Sequence, residues 1–215
     1  GGDPLAPFAA ILSQADYRIG NLEVPVATSG KPHASKIVSF RADPRVVSAL
    51  HGRFDAVSLA NNHSGDYGHD AFVETMRHLS NAGIAYFGGG HNLAEAHRPL
   101  WIEKNGLKIA VLGYNEFKPR AFEAGANWPG VAWSEDDLVI AGIRAAKAAG
   151  ADLVIPFMHW GWEKETQPTE RQKVFARKMI DEGAALVVGC FFNDTATTEI
   201  YTGKPIVYSL GNFVF

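Results

Sequence analysis

Short apolar runs that end in polar clusters alternate along this chain with segments of helical period, and that alternation is what most restricts its fold. Phe54, Ala56, Val57 and Leu59 form one such run and residues 152–157 another, while residues 185–188 and 206–210 read as further strands. Between them, Phe72, Met76 and Leu79 recur at helical spacing and stop at Gly83. A helix over residues 5–14 precedes a strand over 17–23, and Asp43-Pro44 opens a helix that ends before Gly52. Strands are expected around Leu100 and Ile109. Ser134 and Asp137 form a capping-box pattern before an alanine-rich helix ending at Gly150, and a last helix spans 169–182. The pattern predicts an α/β class with much parallel sheet.

Composition narrows the function. Hydrophobic residues make up 47% and charged ones 20% of 215 residues, an ordinary balance for one well-buried domain, expected to span residues 1–215. A net charge of −3 with no basic stripe argues against a nucleic-acid partner. Cys190 is the single cysteine, so cysteine usage identifies no compartment. The chain begins Gly1-Gly2-Asp3 without methionine, which reads as a processed or truncated end.

In α/β folds, sites collect where strands end and loops begin. Four polar clusters stand at such ends: Asn21-Leu22-Glu23, Asn61-Asn62-His63-Ser64-Gly65-Asp66, His159-Trp160-Gly161-Trp162-Glu163 and Ser209-Leu210-Gly211-Asn212. A carboxylate, amide oxygens and imidazoles together can bind a divalent metal. Each cluster also has a plain structural reading. Glu23 taken alone is a solvated loop charge, Asn61 and Asn62 are turn formers, and His159 suits a core position. Trp160 and Trp162 are more often packing than substrate platforms, and Asp66 and Gly68 suit a turn before the next helix. The remaining histidines, His33, His51, His69, His78, His91 and His97, show no spacing that suggests a metal pair.

The order of these motifs, with Tyr208-Ser209-Leu210-Gly211-Asn212-Phe213 closing the series, resembles the CapA family of bacterial capsule (poly-γ-glutamate) biosynthesis proteins. Pro168 and Gln172 fit that family's helix after the His-Trp-Gly motif. The family is similar to calcineurin-like metallophosphoesterases. The resemblance therefore implies a four-layer α-β-β-α sandwich around a two-metal centre of divalent ions, incomplete here at both ends. It implies Glu23, Asn62 and His159 as metal ligands and His63 as the outer acid, supported by Asn21, Asn61, Asp66, Glu163 and Asn212. It also implies metal-assisted hydrolysis of a phosphate-containing substrate or an anionic polymer. The expected setting is exported, at the cell envelope or membrane-anchored, beside a capsule-synthesis membrane complex. A non-catalytic scaffold that binds polymer or partner is the alternative from another class.

Two departures from the family pattern matter. Its first strand, which carries a Gly-Asp ligand, is expected to be missing, because Gly2-Asp3 is followed by Pro4. An exposed sheet edge and marginal solubility would follow. After Gly189, where the family has a His-Pro-His core, this chain has Cys190-Phe191-Phe192-Asn193-Asp194-Thr195-Ala196, so the two-metal centre is expected to be incomplete. Cys190 could coordinate a soft metal, but it is expected to have no histidine or cysteine neighbour to share the task. Residues 193–202 also read, in one frame, as the translation of a common sequencing-library adapter. We expect an assembly artefact there, with histidines in the natural protein. Amplification of the locus from source DNA should return codons other than those for Asn193-Asp194-Thr195-Ala196-Thr197-Thr198; recovering these codons would remove the idea.

Overall fold

The computed structural model describes residues 3, 5–118, 120–162, 165–190 and 197–211. Its strands are β1 (Ile19–Asn21), β2 (Ala56–Ser58), β3 (Ala85–Phe87), β4 (Gly89–Gly90), β5 (Leu100–Lys104), β6 (Leu107–Asn115), β7 (Gly130–Val131), β8 (Leu153–His159), β9 (Val187–Cys190), β10 (Thr197–Tyr201) and β11 (Lys204–Ser209). Its α-helices are α1 (Ala9–Leu12), α2 (Val46–Leu50), α3 (Gly68–Asn81), α4 (Leu93–Ala96), α5 (Asp136–Ala148) and α6 (Glu170–Asp181). None of them is long and apolar enough to cross a membrane, among the described residues.

The strands form a three-stranded sheet, β1-β2-β3, and a six-stranded sheet, β10-β11-β9-β8-β6-β5, with β4 and β7 as a small pair. β1, β2 and β3 run parallel, as do β6, β8, β9 and β11. Only β5 and β10, at the two rims of the larger sheet, run antiparallel to their neighbours. Central parallel strands are buried on both faces, which is why they read as continuous apolar runs.

Side-chain alternation shows the layering. Along β6, Ala110, Leu112 and Tyr114 join a core with α5 and α6, whereas Ile109 and Val111 face the other way. Along β8, Val154 and Met158 share the first core, and Ile155 and Phe157 the second. That second core lies between the sheets, because it also contains Ile19 of β1 and Phe87 of β3. A third cluster packs α2 and α3 on the outer face of the smaller sheet. The order helices, sheet, sheet, helices is the four-layer arrangement expected.

The local expectations fared unevenly. α3 ends where Gly83 enters the left-handed region at φ 70°, as the spacing predicts. The first helix is short: a 3₁₀ turn, Ala6–Phe8, runs into α1. The capping box expected at Ser134 is not formed. Glu135 is the N-cap of α5 and makes no side-chain cap, while the Ser134 hydroxyl donates to Glu116 at 3.3 Å. A capping box stands instead at Thr169 and Gln172, opening α6. β10 was not expected at all. Glu199 on it accepts from Arg177 at 2.8 Å and from the Tyr208 hydroxyl at 2.7 Å.

Between the sheets, the Phe87 and Phe157 rings meet edge to face at 5.7 Å, and Phe157 is 5% exposed. Phe157→Ala should cost about 3–5 kcal/mol, the loss of a large buried side chain plus the cavity it leaves. Val174→Ser, on an exposed face of α6, should stay within about 0.5 kcal/mol of the parent, both variants being measured by urea titration.

Candidate metal centre

β1 and β2 run parallel in the smaller sheet, and β8 belongs to the larger one. The contacts of His159 with Asn62 and Glu23 bring their C-terminal ends, where the first three polar clusters stand, together. Asn61, only 1% exposed, organises the loop after β2. Its Oδ1 accepts from the backbone N–H groups of His63 at 3.1 Å and Ser64 at 2.9 Å, and from the Ser64 hydroxyl at 3.0 Å. Its Nδ2 donates to Asn21 Oδ1 at 3.1 Å and to the Leu22 carbonyl at 2.9 Å. This residue therefore shapes its own turn and also ties that turn to the end of β1. Asn21 in turn donates to Glu23 Oε2 at 2.9 Å, aiming the carboxylate.

From the larger sheet, β8 delivers His159, which is 1% exposed. Its Nε2 lies 2.8 Å from Asn62 Oδ1 and 3.6 Å from Glu23 Oε1. Nε2 carries the proton in this contact, donating to the amide oxygen. After His159 the chain is held by Trp160, wholly buried, whose indole N–H donates to the Tyr208 carbonyl at 3.1 Å. Gly161 then turns at φ 103°, a backbone most side chains avoid. Gly189 lets β9 pass β11 closely, since a Cβ there would sit 2.0 Å from the Tyr208 oxygen.

His63 faces the same point. Its Nδ1 pairs with Asp66 Oδ2 at 2.7 Å. Asp66 is fully buried and is more than a turn former: it also receives Lys36 Nζ and, at 2.7 Å, the Phe40 N–H. Burial alone would raise the Asp66 carboxyl, but the bonds from His63, Lys36 and Phe40 outweigh it and hold it below the usual carboxylate range. Burial pushes Glu23 up to about 7, against the lowering effects of the His63 charge and the Asn21 bond. Burial, with His63 nearby, pushes His159 down to about 3.

Glu23, Asn62, His63 and His159 are thus brought together, with Asn21, Asn61 and Asp66 around them. Glu163 and Asn212 lie outside the described residues, as does the stretch 191–196. A carboxylate oxygen, an amide oxygen and a neutral imidazole nitrogen that nearly touch fit one divalent cation, which would replace the proton on His159 Nε2. No group of three or more His, Cys, Asp and Glu side chains that could hold a metal is gathered among the described residues.

Sequence reasoning missed Lys36 and Phe40. Lys36 also donates to the Asn62 carbonyl, and the Phe40 ring lies 4.8 Å from that of His63. Both come from an irregular connection with no periodicity, and their only signal was a position shortly after Glu23. Asn115, 1% exposed and level with His159 on the neighbouring strand, was missed as well. Cys190 does have a histidine beside it in space, His159 Nδ1 at 3.8 Å, but burial and the Glu23 charge raise its thiol well above the usual range.

Residues 2–215 match the family described as bacterial capsule synthesis protein PGA_cap. The chain belongs to this family. It is 35% identical over 208 residues to the PGA biosynthesis protein CapA of Bacillus subtilis (strain 168), covering 95% of this chain and 54% of the relative. It is 34% identical over 215 residues to the capsule biosynthesis protein CapA of Bacillus anthracis, covering 95% and 51%. The chain thus spans about half the length of the curated relatives it matches. Among solved structures, a Staphylococcus aureus protein described as a 5′-nucleotidase superposes with a TM-score of 0.62 at 14% identity, covering 95% of this chain and 42% of that one. The NAD nucleotidase of Haemophilus influenzae gives 0.51 at 15% identity, covering 78% and 32%. These likenesses show the fold alone, the sandwich of two sheets between helical layers described above.

Glu23 and His159 affect stability with opposite dependence on pH. Glu23 stays protonated in the folded chain up to about pH 7 but ionises near 4.5 when unfolded, so its contribution is full below 4.5 and is lost as pH rises to about 7. His159 stays neutral when folded but protonates near 6.5 when unfolded, so its contribution is full above 6.5 and is lost as pH falls toward about 3. With chelator present, Glu23→Gln should therefore gain stability relative to the parent, by roughly 1–3 kcal/mol, as pH rises through this window. Urea titrations at several pH values measure it, and a constant difference would contradict the raised carboxyl.

Proposed function

We propose that this chain acts in the synthesis or export of an anionic envelope polymer of the poly-γ-glutamate kind, through a divalent-cation site at the strand ends. Its family membership supports the process, and the relatives named for capsule and PGA biosynthesis supply the polymer class. One observation carries the chemistry: His159 Nε2 lies 2.8 Å from Asn62 Oδ1 and 3.6 Å from Glu23 Oε1, beside the His63–Asp66 pair.

In this reading Glu23, Asn62 and His159 hold the cation within a single domain. A bound divalent cation supplies Lewis acidity and neutralises charge on a phosphate or carboxylate oxygen. Asn21 keeps the Glu23 carboxylate aimed, and Asn61 fixes the two loops that carry Glu23 and Asn62. His63, oriented through Nδ1 by Asp66, presents Nε2 as proton donor to a leaving oxygen, a role worth about 10²–10⁴-fold in rate. Glu163 and Asn212 take supporting places by motif. The substrate is then a phosphate-containing or polyanionic molecule, and the setting is the cell envelope, in company with a capsule-synthesis membrane complex.

The second reading is a scaffold that keeps the fold to bind polymer without catalysis. It is favoured by the observation that no group of three or more His, Cys, Asp and Glu side chains that could hold a metal is gathered among the described residues. Titration with Mn²⁺ by calorimetry, checked by elemental analysis, should find about one ion per chain, lost in Glu23→Ala and in His159→Ala. Metal-dependent hydrolysis of an aryl phosphate that falls at least a hundredfold in His63→Ala would support catalysis. Metal binding without hydrolysis would favour the scaffold, and no binding at all would sink the metal site.

A further inference from the structure

The connection that covers the candidate site is unusual for a chain of net charge −3. Between Glu23 and Asp43 it contains no acidic residue, while Lys31, His33, Lys36 and Arg41 all lie within it. It also places three large apolar side chains in water within four positions: Ile37 is 103% exposed, Val38 52% and Phe40 49%. Such side chains would ordinarily fold back against the body of the domain.

They do not fold back because both feet of the connection are fastened. At one side the His33 N–H donates to the Asp66 carbonyl at 2.8 Å, and Lys36 reaches the Asp66 carboxylate and the Asn62 carbonyl. At the other, the Phe40 N–H donates to Asp66 Oδ2 at 2.7 Å, and Arg41 lies 4.4 Å over the Tyr67 ring while donating to the carbonyls of Thr28 and Ser29. Ile37 and Val38 fall between these anchors and are held outward. Lys31, His33 and Arg41 are exposed around them. After β8, Trp162 follows His159 by three residues, is 60% exposed and packs on Phe117 at 5.7 Å. His159 touches Asn62, whose carbonyl Lys36 also reaches, so Trp162 and the Ile37–Val38 tip are both tied to residues of the site.

We infer that residues 31–41 seat the mouth of this site on an anionic lipid bilayer, with Ile37 and Val38 entering the interface and Lys31 and Arg41 meeting the headgroups. An exposed aliphatic pair in a connection that carries Lys31 and Arg41 and no acidic residue suits the headgroup boundary, where apolar and charged groups can both be satisfied. A protein groove would need a broader apolar face than two aliphatic side chains provide. The docking uses neither the cation nor the chemistry of the site, so it stands or falls independently of the proposed hydrolysis.

The experiment is co-flotation of the chain with phosphatidylglycerol-rich vesicles and with pure phosphatidylcholine vesicles, at low and high salt, with chelator throughout. Binding is expected on the anionic vesicles and weaker at high salt. It should fall about tenfold for each of Ile37→Ser and Val38→Ser, and about fivefold for Lys31→Glu. Because these side chains are exposed, unchanged urea midpoints should accompany the losses. Glu23→Ala should float like the parent. No binding to anionic vesicles, equal binding to neutral ones, or binding unchanged in the Ile37→Ser/Val38→Ser double variant would each overturn the proposal, the last pointing to another surface.

Discussion

Asn61 stands where the loops leaving β1 and β2 come together, and its amide engages the polar groups there on both sides. Its oxygen takes the N–H groups of His63 and Ser64 and the Ser64 hydroxyl; its nitrogen gives to Asn21 and to the Leu22 carbonyl. Each of these groups left buried and unpaired would cost about 1–3 kcal/mol. A side chain without both a donor and an acceptor could serve only one loop. The position of Glu23 relative to Asn62 and His63 is therefore set by one amide, before any ligand is considered.

Asp66 has a similar place one layer out. The fully buried carboxylate joins His63 to Lys36 and to the backbone of the connection above the site. Burying a carboxylate is unfavourable unless charged and hydrogen-bonding partners surround it, and here they are His63 from its own loop and Lys36 and Phe40 from the connection above. The orientation of His63 and the course of residues 31–41 are thus two results of the same contact.

The strand-end clusters were legible because period and position both speak in an α/β chain. A buried parallel strand is an uninterrupted apolar run, and whatever polar residues follow it must stand at the sheet edge. Hence the clusters that carry Glu23, Asn62, His63 and His159 could be placed from the sequence, while the choice of those four within them came from the family resemblance. Trp160 is the packing residue its plain reading made it. Lys36 and Phe40 could not be read, because an irregular connection carries no repeat and its contacts are decided by what lies beneath it. The cap at Ser134 failed for a related reason: its hydroxyl found Glu116, a partner distant in sequence. β10 escaped notice because its residues, Thr197–Tyr201, alternate between half-buried and exposed at a sheet rim and leave no apolar run to see.

β6 and β8 each serve two cores at once, with alternate side chains given to the helices and to the space between the sheets. The same count of residues that sorts Val154 and Met158 from Ile155 and Phe157 also delivers His159 to the sheet edge. Loss or gain of a single codon within β8 would invert both faces together and carry the histidine off its mark. Lineages of this fold can therefore vary the size of these side chains far more freely than the spacing between them.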